Sequence, residues 1–481
     1  MRTIANELPF DVLSYVFKLL LPPHNQHNND SGHPQRLQAT APMSLCRVCA
    51  SWRHAALGMP SLWSWLTIPL TVWNLHRYQP WALDSEEIYI RRNIAELLDW
   101  CRRNAAHHPV HLRLELYQEH TGECIFDTEG NFIRGLNTNE EGYQPFKELF
   151  TSNTFQLIKD LDLALSPKAV GKALTLRINT RSPPVFEKVE CLTLRAYATT
   201  GPPPNCATYS RFPSLRRVHL SGKQDIAHLP WDQLTHLCIS YESRLTFWFS
   251  ILTRCTNLEF TAIRIPQDSP PIPILFPPPT CPHLRHLTYW AQDTDLCVYF
   301  PGLRALRLVR DIKDASPIQG FSGLRRNLSC AKYITELHLN ASIFHFLYSP
   351  GNGAFPYEED AGPALNQTVP NTQILVIDSI DTNTESNWME KDLIRLLESR
   401  WIQFSPMYRG RVEFVYNHTD QGQSGIGGRL LKYVEKYGSS LSYEVVFRIA
   451  PEGWNQFTAY ELPKGLRGWD EAMGFYDNGQ D

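Results

Sequence analysis

Few residues in this sequence have the types and spacing that covalent chemistry needs. Cys46 and Cys49 form a C-x-x-C pair, a pattern of redox and zinc sites, but no second ligand pair follows at a suitable distance. Gly425-Ile-Gly-Gly precedes a predicted helix, but it has neither the spacing nor the lysine of a phosphate-binding loop. His107 and His108 end another predicted helix, with too few further ligands for a metal. We interpret the cysteines as buried structural thiols and the glycines as a flexible turn.

Signatures of common catalytic sites are also missing from the sequence. It contains no G-x-x-x-x-G-K-[ST], no G-x-S-x-G and no H-E-x-x-H, the patterns of phosphate-binding loops, serine nucleophiles and zinc proteases. We therefore predict that the protein is not an enzyme, with no catalytic residues, no metal and no cofactor. A hydrolase of unknown type stays open as an alternative, which a deep pocket with adjacent carboxylates or a Cys-His pair would favour.

Length and composition favour a multidomain globular protein. The 481 residues are 43% hydrophobic, which is enough for two or three separate cores. The formal net charge of -3 gives no overall field that would attract nucleic acid or an acidic membrane, and we predict neither partner. The 11 cysteines show no repeating spacing, and Glu7 and Asp11 interrupt the apolar start of the chain. A cytoplasmic or nuclear location is therefore predicted.

The first 66 residues predict two amphipathic helices and a closing turn. Apolar residues recur at three- and four-residue steps from Leu8 to Leu20, and again from Leu45 to Trp52. Pro60 then ends the helical pattern, because proline disfavours helical geometry at the residue before it. The polar segment 22–42 between the helices has the composition of a disordered loop.

Three blocks of this segment, LPFDVLSYVF, LCRVCASWRHAAL and MPSLW, resemble the F-box motif in sequence and order. The resemblance implies that the helices dock on a Skp-family adaptor, which links the protein to a cullin-RING ubiquitin ligase. The long polar segment departs from the family pattern, and the alternative is a helical pair buried against the rest of the chain. The residues that match the adaptor-binding motif are Leu8, Pro9, Val12, Leu13, Val16, Phe17, Leu45, Val48, Cys49, Trp52, Pro60, Leu62 and Trp63.

A Leu-x-x-Leu-x-Leu pattern recurs after residue 150 and predicts one short strand per copy. The clear copies are centred on Leu161, Leu192, Val218, Leu237, Leu287, Leu306 and Leu337, and weaker copies run from Leu258 to Ile263 and from Thr372 to Ile377. The pattern resembles leucine-rich repeats, which form a solenoid with a shared sheet. With the F-box, the layout resembles the large F-box families of filamentous fungi. The alternative is a set of unrelated buried strands in an α/β fold.

The residues between the leucines, and those two places further on, are predicted to lie on the opposite face of each strand, because side chains alternate along a strand. We expect that face to be exposed and to bind the target protein. Its candidate residues are Arg195, His219, Trp290, Arg307 and His338.

These predictions combine into an α/β protein in which a small N-terminal helical F-box is followed by a leucine-rich-repeat-like α/β solenoid. The predicted parts are an F-box at 1–66 with its insert at 22–42, a connector at 67–150, a solenoid at 151–463 and a flexible tail at 464–481. Within the connector we predict a helix at 85–106, a strand at 110–116 and a long loop at 120–143. Helices are further predicted at 393–401 and 430–437, and strands at 412–415 and 443–447. The predicted function is the substrate-recognition subunit of an SCF-type ubiquitin ligase, and the alternative is a non-degradative F-box scaffold.

Overall fold

The computed structural model describes residues 8–20, 41–63, 65–69, 103, 110–115, 158–164, 186–195, 212–221, 229–242, 245–264, 281–290, 300, 302–309, 333–340, 365–380, 387–399, 402–407, 409–416 and 428–449. The chain divides into two compact units, residues 1–230 and 231–481. Most of the predicted insert and connector, and all of the predicted tail, lie outside the described residues. Of the helix predicted at 85–106, only Arg103 is described, and it is helical.

Three α-helices and a 3-10 turn open the first unit: α1 (Phe10–Leu20), α2 (Ala41–Val48), α3 (Ala50–Leu57) and the turn Pro60–Trp63. The single helix predicted over residues 45–52 is wrong in one respect, because the chain breaks at Cys49, whose backbone is extended (φ -160°, ψ 175°). The backbone N–H of Trp52 donates a hydrogen bond to Cys49 Sγ at 3.5 Å. The cysteine therefore caps α3, in the way that a serine caps other helices.

Aromatic side chains hold these helices together. Leu13 and Phe17 are buried on one side of α1, and the ring of Phe17 lies 5.1 Å from that of Trp52. The indole Nε1 of buried Trp63 donates to the carbonyl of Ala56 at 2.8 Å, which satisfies its only polar atom. The 3-10 turn is thereby attached to the end of α3.

The first unit continues as parallel strands: β1 (Trp65–Pro69), β2 (Val110–Glu115), β3 (Ile158–Ala164), β4 (Cys191–Arg195) and β5 (Arg217–Ser221). Strands that are neighbours in the sequence are neighbours in the sheet. Leu161 pairs with Leu192, and Leu192 pairs with Val218, and all three side chains are buried. The predicted leucine positions thus form one continuous core row.

The second unit repeats this plan with eight strands among its described residues: β6 (His236–Glu242), β7 (Phe260–Arg264), β8 (His286–Trp290), β9 (Ala305–Val309), β10 (Glu336–Asn340), β11 (Ile374–Ile380), β12 (Gly410–Tyr416) and β13 (Tyr443–Ile449). They too pair in parallel and in sequence order. Its helices are α4 (Leu245–Leu252), α5 (Leu365–Thr368), α6 (Asn387–Glu398) and α7 (Gly428–Tyr437), with 3-10 turns at Trp231–Gln233 and Gly438–Ser440.

A tight turn of the same kind precedes many of these strands. In each turn, a backbone N–H donates to the carbonyl three residues earlier, as in a β-turn. The pairs are Val189 to Phe186 (3.3 Å), Leu215 to Phe212 (3.2 Å), Leu234 to Trp231 (3.3 Å), Leu258 to Cys255 (3.4 Å), Leu284 to Cys281 (3.2 Å), Leu303 to Phe300 (3.1 Å) and Thr372 to Val369 (3.1 Å). The next residue then bonds to the preceding repeat, as when Arg304 N–H donates to the Arg285 carbonyl at 2.8 Å.

The structure confirms the α/β class, with parallel sheets that do not close. Every predicted copy of the leucine pattern coincides with a strand, and the strands predicted at 110–116, 412–415 and 443–447 are β2, β12 and β13. The helices predicted at 393–401 and 430–437 are α6 and α7. In the described part of the chain, no helix has the length and apolar character that crossing a membrane requires.

Candidate functional site

The outer side of α1 carries exposed apolar side chains. Val12 is 43% exposed and Tyr15 is 66% exposed, while Val16, one turn after Val12, is half-buried. Residues three and four apart are neighbours on a helix surface, so these three side chains form a single patch, which we call the α1 patch. Phe10 on α1 and Val48 at the end of α2 are also exposed. Large apolar groups exposed together indicate a surface that meets another molecule.

The predicted adaptor-binding residues divide between the core of the helices and their surface. Leu13, Phe17, Leu45, Leu62 and Trp63 are buried; Leu8, Val16, Cys49, Trp52 and Pro60 are half-buried; Pro9, Val12 and Val48 are exposed. Sequence reasoning missed Phe10 and Tyr15. The helical period held the signal for Tyr15, which lies three residues after Val12 and therefore on the same side of α1.

The C-x-x-C pair contributes to the structure of the helices, but the prediction that both thiols are buried is wrong for Cys49, which is half-buried between α2 and α3. Cys46 is buried, and burial raises the pKa of its thiol, although nearby Arg53 opposes this shift. Arg53 Nε donates to the carbonyl of Cys46 at 2.9 Å, while Cys49 caps α3. Nowhere in the described residues do three His, Cys, Asp or Glu side chains gather as metal ligands would.

In the second unit, the sheet face opposite the leucines is predicted to be exposed, but the structure shows that it is buried at Arg307 and His338. Thr288, Arg307 and His338 are register neighbours on β8, β9 and β10. Arg307 is only 6% exposed and His338 only 5%. The prediction that these two residues lie on an exposed strip is therefore wrong. Strand alternation reveals which side chains share a face, but it does not reveal whether that face is covered.

Arg307 forms a buried ion pair with Asp378 of β11. Its Nε donates to Asp378 Oδ2 at 2.9 Å and its Nη2 donates to Oδ1 at 3.2 Å. The Asp378 side chain is fully buried. Because β10 lies between β9 and β11, this two-point pair bridges across a strand and joins three neighbouring repeats. A buried guanidinium needs such a partner, since an isolated charge in the interior is very costly.

His338 is held by its neighbour two residues earlier on β10. Its Nε2 lies 2.6 Å from Glu336 Oε1. An ionised carboxylate can only accept, so Nε2 is the donor of this hydrogen bond. We call Glu336, His338, Arg307 and Asp378 the polar face.

Beside the polar face, aromatic rings of β6, β7 and β8 stack in register. His236 lies 5.9 Å from Phe260, and Phe260 lies 5.8 Å from His286. Burial lowers the pKa of His286, and His338 and Arg285 add to this shift, whereas Glu336 and Glu259 oppose it. The neutral imidazole is thus favoured in the folded chain.

The lowered pKa of His286 predicts a loss of stability in acid. In the unfolded chain the imidazole has its ordinary pKa of about 6.5. As the pH falls below this value, the unfolded chain binds the proton more readily than the folded chain, so the free energy of unfolding decreases until the lower folded pKa is passed. We expect urea midpoints to decrease from pH 7.5 to 5.5, and to decrease less in His286→Phe. Equal slopes for both proteins would contradict the assignment.

Among the described residues, no contact joins the other candidates for the target-binding face, Arg195, His219 and Trp290, to Arg307 or His338. Arg195 ends β4 and Trp290 ends β8, but both side chains lie outside the described residues. His219 of β5 is half-buried and pairs with Thr193 in the first unit. Of these candidates, only Arg307 and His338 are neighbours among the described residues, and both lie in the second unit.

Comparisons with known proteins give no relative: no protein-family model and no curated protein matches this chain.

Proposed function

We propose that the protein is the substrate-recognition subunit of an SCF-type cullin-RING ubiquitin ligase. Its N-terminal helices form an F-box that docks on a Skp-family adaptor, and its leucine-repeat strands form a solenoid that binds the target protein. It performs no covalent chemistry itself; it holds the target near the ligase and so raises the target's local concentration. Such a protein acts in the cytoplasm or the nucleus.

The observation that carries this proposal is the α1 patch. Helices α1 to α3 have a core of their own, in which Leu13, Phe17 and Trp63 are buried, so Val12 and Tyr15 are not needed to fill it. Leaving them exposed at 43% and 66% forgoes the stabilisation that apolar burial provides. An adaptor that covers them would recover it, and the patch lies within the first of the three blocks that resemble an F-box.

The strands support the second half of the proposal. Consecutive parallel pairing in sequence order is the arrangement of proteins in which each repeat contacts mainly its neighbours. Repeat proteins of this kind bind partners over surfaces to which successive repeats contribute, which suits the recognition of a protein target.

A charge placed in the α1 patch should abolish adaptor binding. Tyr15→Asp and Val12→Asp each put a carboxylate where an apolar contact is expected, and we predict a loss of at least about 30-fold in adaptor affinity, as for other interface anchors. Thermal unfolding should stay near wild type, because both positions are exposed. The matched control is Tyr333→Asp, which changes a tyrosine 61% exposed outside the helices and should leave adaptor affinity unchanged.

The measurement is co-purification of the full chain with adaptor and cullin. Unchanged adaptor affinity in both α1 variants would overturn the proposal. Leu13→Asp is not a usable test, because Leu13 is buried and the variant would unfold the helices. Recovery of adaptor without cullin would favour the non-degradative scaffold instead.

A further inference from the structure

Strand β13 is an open edge of the sheet among the described residues. It pairs with β12 over seven consecutive residues, from Tyr443 to Ile449, without a shift in register. On its other side, no described strand pairs with it. The free side of an edge strand carries backbone N–H and C=O groups that another strand can pair with.

The apolar core also thins at this edge. Val412 and Phe414 of β12 are fully buried. Val445 and Phe447, which pair with them on β13, are only half-buried. The rings of Phe414 and Phe447 stack at 5.8 Å, so Phe447 lies on the core face of the sheet. A further strand beside β13 would cover these two half-buried side chains.

β13 lacks the features that usually keep an edge strand from pairing. Proline, lysine and bulges commonly block such strands. The sequence of β13, Tyr-Glu-Val-Val-Phe-Arg-Ile, has no proline and no lysine, and its pairing with β12 contains no bulge. Glu444 is exposed and forms no ion pair in the described part of the chain. Its carboxylate is therefore available to a partner.

The sequence of β13 is complementary to itself when two copies run in opposite directions. In an antiparallel pair centred on Val446, Glu444 of each copy is opposite Arg448 of the other. Directly opposite residues share one face of a sheet, and opposite charges at such positions are stabilising. The remaining opposite pairs are apolar on both sides: Val445 with Phe447, and Tyr443 with Ile449.

This match is specific to one register. With the centre at Val445 instead, Glu444 would be opposite Val446. With the centre at Phe447, Arg448 would be opposite Val446. Only the pairing about Val446 places both charges opposite each other, so the sequence itself favours a second copy of this strand in one position.

We propose that a second copy of this chain docks on β13, with the two β13 strands paired in antiparallel direction about Val446. The same surface is used on both copies, so the contact closes after two chains as a two-fold dimer. Backbone hydrogen bonds supply most of the affinity, and the two Glu444–Arg448 pairs fix the register. The α1 patch is not involved, so the dimer does not depend on the proposed receptor function.

Charge reversal tests the dimer in the full chain. By sedimentation velocity, we expect the wild type to form a dimer whose fraction rises with protein concentration. Glu444→Lys puts like charges opposite Arg448, and Arg448→Glu puts like charges opposite Glu444, twice in each dimer. Each variant should dimerise at least about 10-fold more weakly. The matched control is Glu187→Lys, at an exposed position in the first unit, which should dimerise as the wild type does.

Mixing the two variants separates a lost contact from a folding defect. In a mixed dimer, Glu444→Lys of one copy faces Arg448→Glu of the other, and the unchanged Arg448 and Glu444 face each other. Both pairs are then attractive again, and we expect an equimolar mixture to recover dimerisation close to that of the wild type. Two misfolded chains would not rescue each other in this way.

Val446→Cys tests the centre of the pairing. Opposite residues of an antiparallel pair have Cα atoms about 4.5–5.5 Å apart, which is within the reach of a disulfide. Oxidised glutathione should therefore cross-link this variant into a covalent dimer. The wild type, with its 11 native cysteines, is the control and should not be cross-linked.

A wild type that stays monomeric at all concentrations would overturn the proposal, and would mean that the chain after Ile449 or a different partner covers this edge. Dimerisation that neither charge reversal weakens, an equimolar mixture without rescue, or a Val446→Cys variant that does not cross-link would each overturn it as well. Adaptor binding is not measured in these experiments, so their failure leaves the receptor proposal standing.

Discussion

Asp378→Ala is expected to destabilise the second unit severely, by about 3–5 kcal/mol. The substitution leaves the Arg307 guanidinium buried at 6% exposure without the carboxylate that offsets its desolvation. It also removes a link that bridges β9 to β11 across β10. Urea unfolding followed by circular dichroism measures the change as a lower midpoint.

A double variant separates the ion pair from the packing. Replacing Arg307 by Met and Asp378 by Leu removes both charges and keeps apolar volume, and we expect it to recover most of the loss, because breaking a buried pair costs more than replacing it. Exposed ion pairs contribute less than about 1 kcal/mol to stability. A loss as small as this in Asp378→Ala would therefore contradict the burial of the Arg307–Asp378 pair.

Leu306→Ala should cost about 2–5 kcal/mol, as other buried leucines do. Leu306 is fully buried in β9 and pairs with Leu287 on one side and Leu337 on the other. Truncation therefore opens a cavity in the middle of the leucine row, where neighbouring strands cannot close together. The readout is the free energy of unfolding in urea.

Two controls accompany Leu306→Ala. Leu306→Met keeps most of the volume and should cost less than about 1.5 kcal/mol. Arg304→Ala, at an exposed position two residues earlier, should stay within about 0.5 kcal/mol of wild type. A cost for Arg304→Ala as large as that for Leu306→Ala would mean that the loss in Leu306→Ala does not come from the buried leucine in particular.

The register of the strands could be predicted from the sequence because it depends on local spacing. Apolar residues spaced three and then two positions apart, as in Leu303, Leu306 and Leu308, identify the strand and its core face. Leu306 pairs with Leu337, the middle residue of the next copy. The burial of Arg307 could not be predicted in this way. It depends on Asp378, 71 residues away, and no periodic pattern connects two such positions.

In the N-terminal helices, too, one part of the structure could be predicted from the sequence and another part could not. Apolar spacing located α1, but it treated Val12 and Leu13 alike, although the first is exposed and the second is buried. A motif match names conserved types, and the helix geometry then decides which of them face the core. The break at Cys49 was also missed, because a thiol is a rare helix cap and ordinary capping residues are Ser, Thr, Asp and Asn.

The tight turn before the strands makes the loops of this protein exchangeable. Many of the strands start from a hydrogen-bonded turn and are joined to the preceding repeat at that point, as Arg304 is to Arg285 and Gln373 is to Thr335. The chain between one strand and the next turn can therefore change in length or sequence without shifting the pairing of the leucines. Closing a longer loop costs little extra entropy. New surface segments can thus be inserted between strands over evolutionary time, or grafted by design, while the sheet that carries them stays the same.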